Sequence, residues 1–286
     1  MTAPFGARLA EAMAALGPLC VGIDPHPSLL AAWGLPDDPD GLRRFALTTV
    51  EAVAGVVPAT KPQAAFFERH GSAGVAVLEE LIATARQAGL LVVVDAKRGD
   101  IGSTMAAYAD AFLRDGSPLA GDALTVSPYL GFGSLAPAVT TAGESGRGLF
   151  VLALTSNPEG PGVQHARAAD GTPVAVAVAR AAAELNAAEL ARTGGTLGSV
   201  GLVVGATTGD AAARIGLDLA AVRGPLLAPG VGAQGAGPSE LAAVFGDARS
   251  AVLAASSRGV LAAGPDRVAL RDAARRARDE AAAALS

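Results

Sequence analysis

Leu90-Leu91-Val92-Val93-Val94-Asp95-Ala96-Lys97-Arg98-Gly99-Asp100 joins an apolar run to a cluster of charges. The run at 90–94 is rich in β-branched residues, which predicts a fully buried parallel strand. Alternate residues of a strand share a face, so we expect Asp95 and Lys97 to point the same way where the strand ends. Acidic neighbours keep a lysine protonated, which suits a proton donor and suits a Schiff-base nucleophile poorly. The stretch therefore predicts proton delivery to a carbanion-like centre at the end of a parallel strand.

Short apolar runs recur along the chain, and each ends in polar or glycine-rich residues. They predict strands at 19–24, 56–61, 90–95, 122–127, 149–155, 200–206, 225–231 and 251–257. Helical patterns lie between them at 41–53, 73–88, 104–114, 173–192, 211–215, 239–245 and 265–284. This alternation of strand and helix predicts an α/β fold, a (β/α)8 TIM barrel. An open doubly wound sheet has the same periodicity and is the alternative.

Composition limits the class of protein. Hydrophobic residues make up 51% of the chain and charged residues 17%, which is ample for a large core. No linker or charge run divides the chain, so we expect a single barrel domain over residues 1–286. A net charge of −5 disfavours binding to nucleic acid or to anionic membranes, both of which call for a basic surface.

Targeting signals and cysteines give a prediction about location. No apolar run approaches the ~18 residues of a transmembrane helix, and the first residues lack the continuous apolar core of a signal peptide. The single Cys20 excludes an internal disulfide and fits a reducing compartment. We therefore expect a cytoplasmic protein.

Polar residues and a glycine collect at or just past the carboxyl ends of the predicted strands: Asp24, Lys61, Asp95, Lys97, Ser127, Thr155, Ser156, Gly230 and Arg258. Barrel enzymes build their sites at that face. A purely structural ion network is the alternative to a functional role for Asp95, Lys97 and Asp100. A buried Asp–Lys pair, however, is costly unless it is fully paired. The alternative for Lys61 is a lone lysine whose charge is solvated at the strand end. Its place one strand before Asp95 permits an alternating Lys-Asp-Lys-Asp array.

Two loops indicate a phosphate site. Residues 230–235, which are rich in glycine, follow the seventh strand, and residues 256–259 follow the eighth. Barrels often bind phosphate between these loops, where backbone N–H groups are exposed and Arg258 can add a bidentate contact. A plain turn is the alternative for 230–235.

Metal chemistry is not expected. His26, His70 and His165 are scattered and show no metal-ligand spacing. Cys20 precedes a buried strand and is expected to pack there. Asp24 suits either a helix cap or a ligand to a sugar hydroxyl, and its motif does not choose between them.

The chain resembles the orotidine 5′-phosphate decarboxylase family, in its longer bacterial form, from residue 21 to residue 259. The most specific motifs are Lys-Pro-Gln-Ala-Ala-Phe-Phe-Glu at 61–68 and Asp-Ala-Lys-Arg-Gly-Asp-Ile-Gly-Ser-Thr at 95–104. Further matches lie at 128–131, 155–158 and 229–235. Ser127 stands where the family pattern has asparagine, and its hydroxyl can still hydrogen-bond there.

This resemblance implies a carboxy-lyase that converts orotidine 5′-phosphate to uridine 5′-phosphate and carbon dioxide, the last step of pyrimidine nucleotide (UMP) biosynthesis. It also implies a homodimer that uses no metal and no organic cofactor. Lys97 would donate the proton to C6, and Asp95 would lie against the substrate carboxylate. Lys61 and Asp24 would hold ribose hydroxyls and complete the array of charges.

The resemblance assigns the remaining contacts to other loops. Asp100 and Thr104 would reach across the dimer interface into the partner's site. Ser156 would meet the pyrimidine edge, while Gln234 and Arg258 would bind the phosphate.

Two other functions stay open at this point. A related barrel could act on a sugar phosphate through a metal-stabilised enediolate, but it needs an acidic set of metal ligands, and the second strand ends in Lys61 instead of an additional carboxylate. A non-catalytic phosphate-binding module would keep Gln234 and Arg258 but has no reason for the charged array.

Overall fold

The computed structural model describes residues 3–231 and 236–286. Within them, eight parallel strands close into a barrel in sequence order. The strands are β1 (Leu19–Ile23), β2 (Ala59–Pro62), β3 (Leu91–Arg98), β4 (Ala123–Val126), β5 (Gly148–Leu154), β6 (Val200–Val204), β7 (Leu226–Pro229) and β8 (Val252–Ser256). Closure is made by β1 and β8, where Leu19 pairs with Ala254. The predicted (β/α)8 barrel is confirmed, and the open doubly wound sheet is excluded.

Helices surround the barrel and connect its strands. They are α1 (Phe5–Leu16), α2 (Pro27–Ala32), α3 (Pro39–Val53), α4 (Ala65–Glu68), α5 (Gly71–Gln87), α6 (Gly102–Leu113), α7 (Ala136–Glu144), α8 (Gly160–Gln164), α9 (Val174–Thr193), α10 (Ala211–Ile215), α11 (Pro238–Phe245), α12 (Arg258–Leu261) and α13 (Arg267–Leu285). No helix of the described chain is long and apolar enough to cross a membrane.

The sequence prediction missed α1, the short helices α2, α4, α8 and α12, and also α7, the helix between β4 and β5. Its segment contains Pro137, Thr140, Thr141 and Gly143, which are weak helix formers, and it buries only small side chains. The helix is stabilised by packing beside α6. Tertiary contact therefore overrides a weak local preference.

The barrel interior is apolar below its charged mouth. Every strand contributes at least one buried side chain to this inner core, and β8 contributes two: Cys20, Ala59, Val93, Ala123, Phe150, Val203, Leu227, Leu253 and Ala255. Two residues further along β2 and β3, on the same face, come Lys61 and Asp95. The two-residue period therefore places these charges directly above the apolar layer.

Helix α1 closes the opposite end of the barrel. Phe5 and Leu9 are fully buried in the inner core. The Phe5 ring meets the Phe150 ring edge-on, with centroids 5.9 Å apart. Gly148 permits this approach, because a Cβ atom there would lie 2.1 Å from the Phe5 ring. Helix α1 is thus the floor of the barrel.

We predict that Phe5→Ala lowers the free energy of unfolding by about 3–5 kcal/mol, because it leaves a cavity in the floor. The matched control is Glu11→Ala, an exposed position on the same helix, which should change it by less than about 0.5 kcal/mol. Urea unfolding followed by circular dichroism measures both. Equal losses in the two variants would contradict the role of α1.

Candidate active site

Three charged side chains form a continuous array at the mouth of the barrel. Lys61 Nζ lies 2.8 Å from Asp95 Oδ2, and Lys97 Nζ lies 2.6 Å from Asp95 Oδ1. A fourth side chain extends the array, since Asp24 Oδ1 lies 3.9 Å from Lys61 Nζ. The structure thus brings together four of the predicted site residues from β2, from β3 and from the end of β1.

Burial differs along this array. The Lys61 and Asp95 side chains are 7% and 8% exposed, whereas the Lys97 side chain is 44% exposed. Lys97 also has a backbone φ of +49°, in the left-handed region that non-glycine residues rarely adopt. The strained residue is therefore the lysine that a ligand can reach, and strain of this kind is concentrated at functional sites.

The array stabilises its own charges. Burial alone would raise the pKa of Asp95, but Lys61 and Lys97 outweigh it and lower that pKa to about 2. Burial likewise opposes the charge of Lys61, but Asp24 and Asp95 outweigh it and raise the pKa of the Lys61 ammonium above its ordinary value. Asp95 is therefore a carboxylate, and Lys61 an ammonium, across the neutral range.

Sequence reasoning gave no role to three polar residues that complete the array. Thr125 Oγ1 donates to Asp95 Oδ1 at 2.8 Å, and Ser257 Oγ donates to Asp24 Oδ2 at 2.6 Å. Gln63 turns its amide nitrogen to Asp95 Oδ2 at 2.6 Å and its oxygen to Lys97 Nζ at 3.2 Å, the orientation that gives both groups a complementary partner. Two features of the sequence could have pointed to Gln63 and Thr125. Gln63 follows Lys61 by two residues, and Thr125 is a polar residue within a buried strand.

A cavity of about 640 Å³ opens above the array. Its walls contain six of the predicted site residues: Asp24, Lys61, Asp95, Lys97, Ser156 and Arg258. Ser156, on the loop after β5, and Arg258, the first residue of α12 after β8, are both exposed. Volumes of this size are typical of small-molecule sites. The cavity therefore joins a charged floor to an arginine at its rim.

Two of the predicted site residues, Asp100 and Thr104, do not line the cavity. Asp100 follows β3, where its Oδ1 accepts a hydrogen bond from the Ile101 amide at 2.8 Å. Thr104 is exposed on α6. Gln234, the other predicted phosphate ligand, lies outside the described residues.

No metal-binding cluster of three or more His, Cys, Asp or Glu side chains occurs in the described part of the chain. Asp24 and Asp95 both face Lys61 instead. Cys20 packs inside the barrel, and burial raises the pKa of its thiol to about 12. The thiol is therefore inert packing, as predicted.

Fold and site together define a (β/α)8-barrel enzyme with a lysine–carboxylate centre. The sequence profile of the orotidine 5′-phosphate decarboxylase / HUMPS family matches residues 17–273. The chain belongs to this family.

Individual relatives match over nearly their whole length. The orotidine 5′-phosphate decarboxylase of Salinispora arenicola is 61% identical over 99% of this chain and 98% of its own. That of Streptomyces coelicolor is 63% identical over 96% of this chain and 95% of its own. A crystal structure from Streptomyces avermitilis, assigned provisionally to the same enzyme, has a TM-score of 0.93 and 62% identity, covering 99% of this chain and 96% of its own.

We predict that Asp95→Asn makes the protein less sensitive to acid. The folded pKa of Asp95 is about 2 and its ordinary value 3.8, so its stabilising effect is complete above the ordinary value and is lost as pH falls towards 2. Between pH 6 and pH 3 the wild type should lose about 1 kcal/mol through this group. The variant cannot lose that amount.

Urea unfolding at the two pH values measures this difference. Asp110→Asn, which removes an exposed carboxylate that pairs with Arg114 on α6, is the matched control and should follow the wild type. Parallel pH dependences for the wild type and Asp95→Asn would show that the array does not lower the pKa of Asp95.

Proposed function

We propose that this enzyme decarboxylates orotidine 5′-phosphate to uridine 5′-phosphate and carbon dioxide, the last step of UMP biosynthesis. Membership of the family supports the proposal, as do the names of the Salinispora and Streptomyces relatives. The observation that carries it is the Lys61–Asp95–Lys97 array at the floor of a cavity of nucleotide size.

The cavity offers a partner for each part of the substrate. Arg258, exposed after β8, suits the phosphate, because a guanidinium binds phosphate oxygens bidentately. Ser156, which follows β5, suits the pyrimidine edge. Asp24 Oδ1 is buried and accepts no hydrogen bond within the described residues, so it can accept one from a ribose hydroxyl beside Lys61. Phosphate and ribose contacts supply remote binding energy that is used at the transition state.

Proton transfer is assigned to Lys97. Loss of carbon dioxide leaves an electron pair on C6, in an orbital that gains little from resonance. An ammonium beside that carbon stabilises the developing charge and then protonates it. Lys97 is the accessible end of the array, and Asp95, 2.6 Å away, would lie beside the leaving carboxylate.

The choice of lysine supports this role. Lysine occurs only at positions 61 and 97, and every other residue among the 22 Lys and Arg is arginine. Arginine is not deprotonated in proteins, so it cannot donate a proton in this way. The chain therefore uses lysine only in the array.

We infer that the reaction needs no metal. The carboxylates Asp24 and Asp95, which a cation would use as ligands, already have the Lys61 ammonium between them. That ammonium supplies the positive charge at the place where a metal would otherwise bind.

A homodimer with shared sites is part of the proposal. Asp100 and Thr104 lie outside the cavity of their own chain. Ile101, just after β3, and Tyr129 and Leu130, just after the paired strand β4, are exposed apolar side chains, with Tyr129 78% exposed. A patch of large exposed apolar side chains is typical of protein–protein interfaces. We propose that this surface pairs with its copy and that Asp100 and Thr104 enter the partner's cavity.

A single domain over 1–286 and a cytoplasmic location remain predictions from the sequence.

The overall function is tested by incubating the EDTA-treated enzyme with orotidine 5′-phosphate and following the loss of its absorbance. We expect full activity, since the array supplies the charge. Activity that returns only with added divalent metal would favour the metal-dependent barrel reaction. Substrate binding without turnover would favour a binding module.

We predict that Lys97→Ala abolishes turnover while binding of uridine 5′-phosphate largely survives, because the ammonium acts on charge that develops in the transition state. Steady-state kinetics and calorimetric titration measure the two effects. Arg114→Ala, which breaks an exposed ion pair with Asp110 at the C-terminal end of α6, is the control and should keep wild-type kinetics. A Lys97→Ala enzyme with a tenth of wild-type turnover would refute the assignment.

Shared sites predict complementation between two inactive variants. Lys97→Ala and Asp100→Ala homodimers are each impaired at both sites, but a mixed dimer combines Lys97 of one chain with Asp100 of the other in one intact site. Random pairing makes about half of the dimers mixed, so about a quarter of wild-type activity should return by counting the sites of a C2 dimer.

Co-expression of the two chains, with mass spectrometry to verify exchange, provides the measurement. A mixture no more active than the average of its two parents would mean that Asp100 serves the site of its own chain.

A further inference from the structure

The Asp95 carboxylate has a complete set of hydrogen-bond donors. Oδ1 accepts from Lys97 Nζ at 2.6 Å and from Thr125 Oγ1 at 2.8 Å. Oδ2 accepts from Lys61 Nζ at 2.8 Å and from the Gln63 amide at 2.6 Å. A carboxylate has about four lone-pair positions. Two ammonium groups and two neutral donors therefore fix its orientation.

Thr125 differs from the other three donors because it does not line the cavity, whereas Lys61, Gln63 and Lys97 do. Its residue is 1% exposed within β4. It therefore acts on a bound ligand only through the groups that it holds. Its hydroxyl contacts two such groups. It donates to the Asp95 carboxylate, and it also accepts a hydrogen bond from the Lys97 backbone amide at 2.9 Å.

The bond to the Lys97 amide lies where the sheet is irregular. The register of β3 and β4 shifts between Val94 and Arg98, and Lys97 has the left-handed φ of +49°. A non-glycine residue keeps such a conformation only where its surroundings enforce it. The Thr125 hydroxyl takes the place of a ladder carbonyl as the acceptor for this amide.

We propose that Thr125 is a positioning residue, whose single hydroxyl sets both the Asp95 carboxylate and the backbone from which Lys97 reaches the substrate. The inference rests on the proposed decarboxylation. It assigns Thr125 an effect on the chemical step and little effect on substrate binding, because its hydroxyl bonds Asp95 and the Lys97 amide rather than the proposed phosphate and ribose ligands, Arg258 and Asp24.

Three substitutions test the role by kinetics. Thr125→Val keeps the shape and removes the hydroxyl, whereas Thr125→Ser keeps the hydroxyl. We expect kcat of Thr125→Val to fall about 10–100-fold, as small misplacements of reacting groups do, with KM within about threefold of wild type. Thr125→Ser should recover kcat to within a few-fold.

The third substitution, Thr49→Val, is the control. Thr49 is fully buried on α3, and its hydroxyl donates to the Phe45 carbonyl at 2.9 Å, so the variant loses one buried hydrogen bond away from the site. It should keep wild-type kcat. Wild-type kcat in Thr125→Val, or a loss that Thr125→Ser does not restore, would overturn the inference. Should Thr125→Val not fold, Thr125→Ala makes the same comparison.

A measurement without substrate separates this inference from the proposed function. Because the chain has only two lysines, 15N-lysine labelling gives backbone amide signals from Lys61 and Lys97 alone. In Thr125→Val we expect the Lys97 amide to exchange with solvent at least about tenfold faster, since it loses its acceptor, while the Lys61 amide is unchanged.

The two failures are therefore distinguishable. A wild-type enzyme that does not decarboxylate orotidine 5′-phosphate refutes the proposed function, whatever the exchange rates are. If the wild type is active and its Lys97 amide exchanges as fast as that of the Thr125→Val variant, the positioning role alone is refuted.

Discussion

A carboxylate buried between two ammonium groups is the constraint on which this structure depends. Removing Asp95 from water is costly unless opposite charge and hydrogen bonds replace its hydration, and Lys61 and Lys97 supply the charge at 2.8 and 2.6 Å. Lys61, which is buried, in turn needs the opposite charge of Asp95 to remain charged out of water. The array is therefore stable only as a unit, so β1, β2, β3 and β4 must all be in register to build it.

Packing and electrostatics are joined by the alternation of residues along the strands. The positions that bury Ala59 and Val93 in the inner core lead, two residues later, to Lys61 and Asp95. The apolar layer below keeps water away from the underside of the array, which strengthens the attraction between its charges. The floor that Phe5 closes and the site at the mouth thus belong to one continuous column of side chains.

The charged and the neutral hydrogen-bond donors of Asp95 have different roles. Lys61 and Lys97 supply charge, while Thr125 and Gln63 supply direction. Arginine takes the structural roles elsewhere: Arg147, for example, is buried and donates to the carbonyls of Leu113 and Gly121. Such a fork is suited to fixing backbone, whereas an ammonium is suited to giving up a proton.

The sequence by itself determined the eight strands, because continuous apolar runs and their polar ends are local signals. The Asp95-Ala96-Lys97 spacing determined that two charges share a face. It did not determine α7, whose residues favour a helix only once α6 packs beside them. Only the tertiary structure decided that Thr125 and Ser257 complete the array, from β4 and from the end of β8. Those contacts depend on the register between strands and on closure of the barrel, and neither is encoded within a single segment.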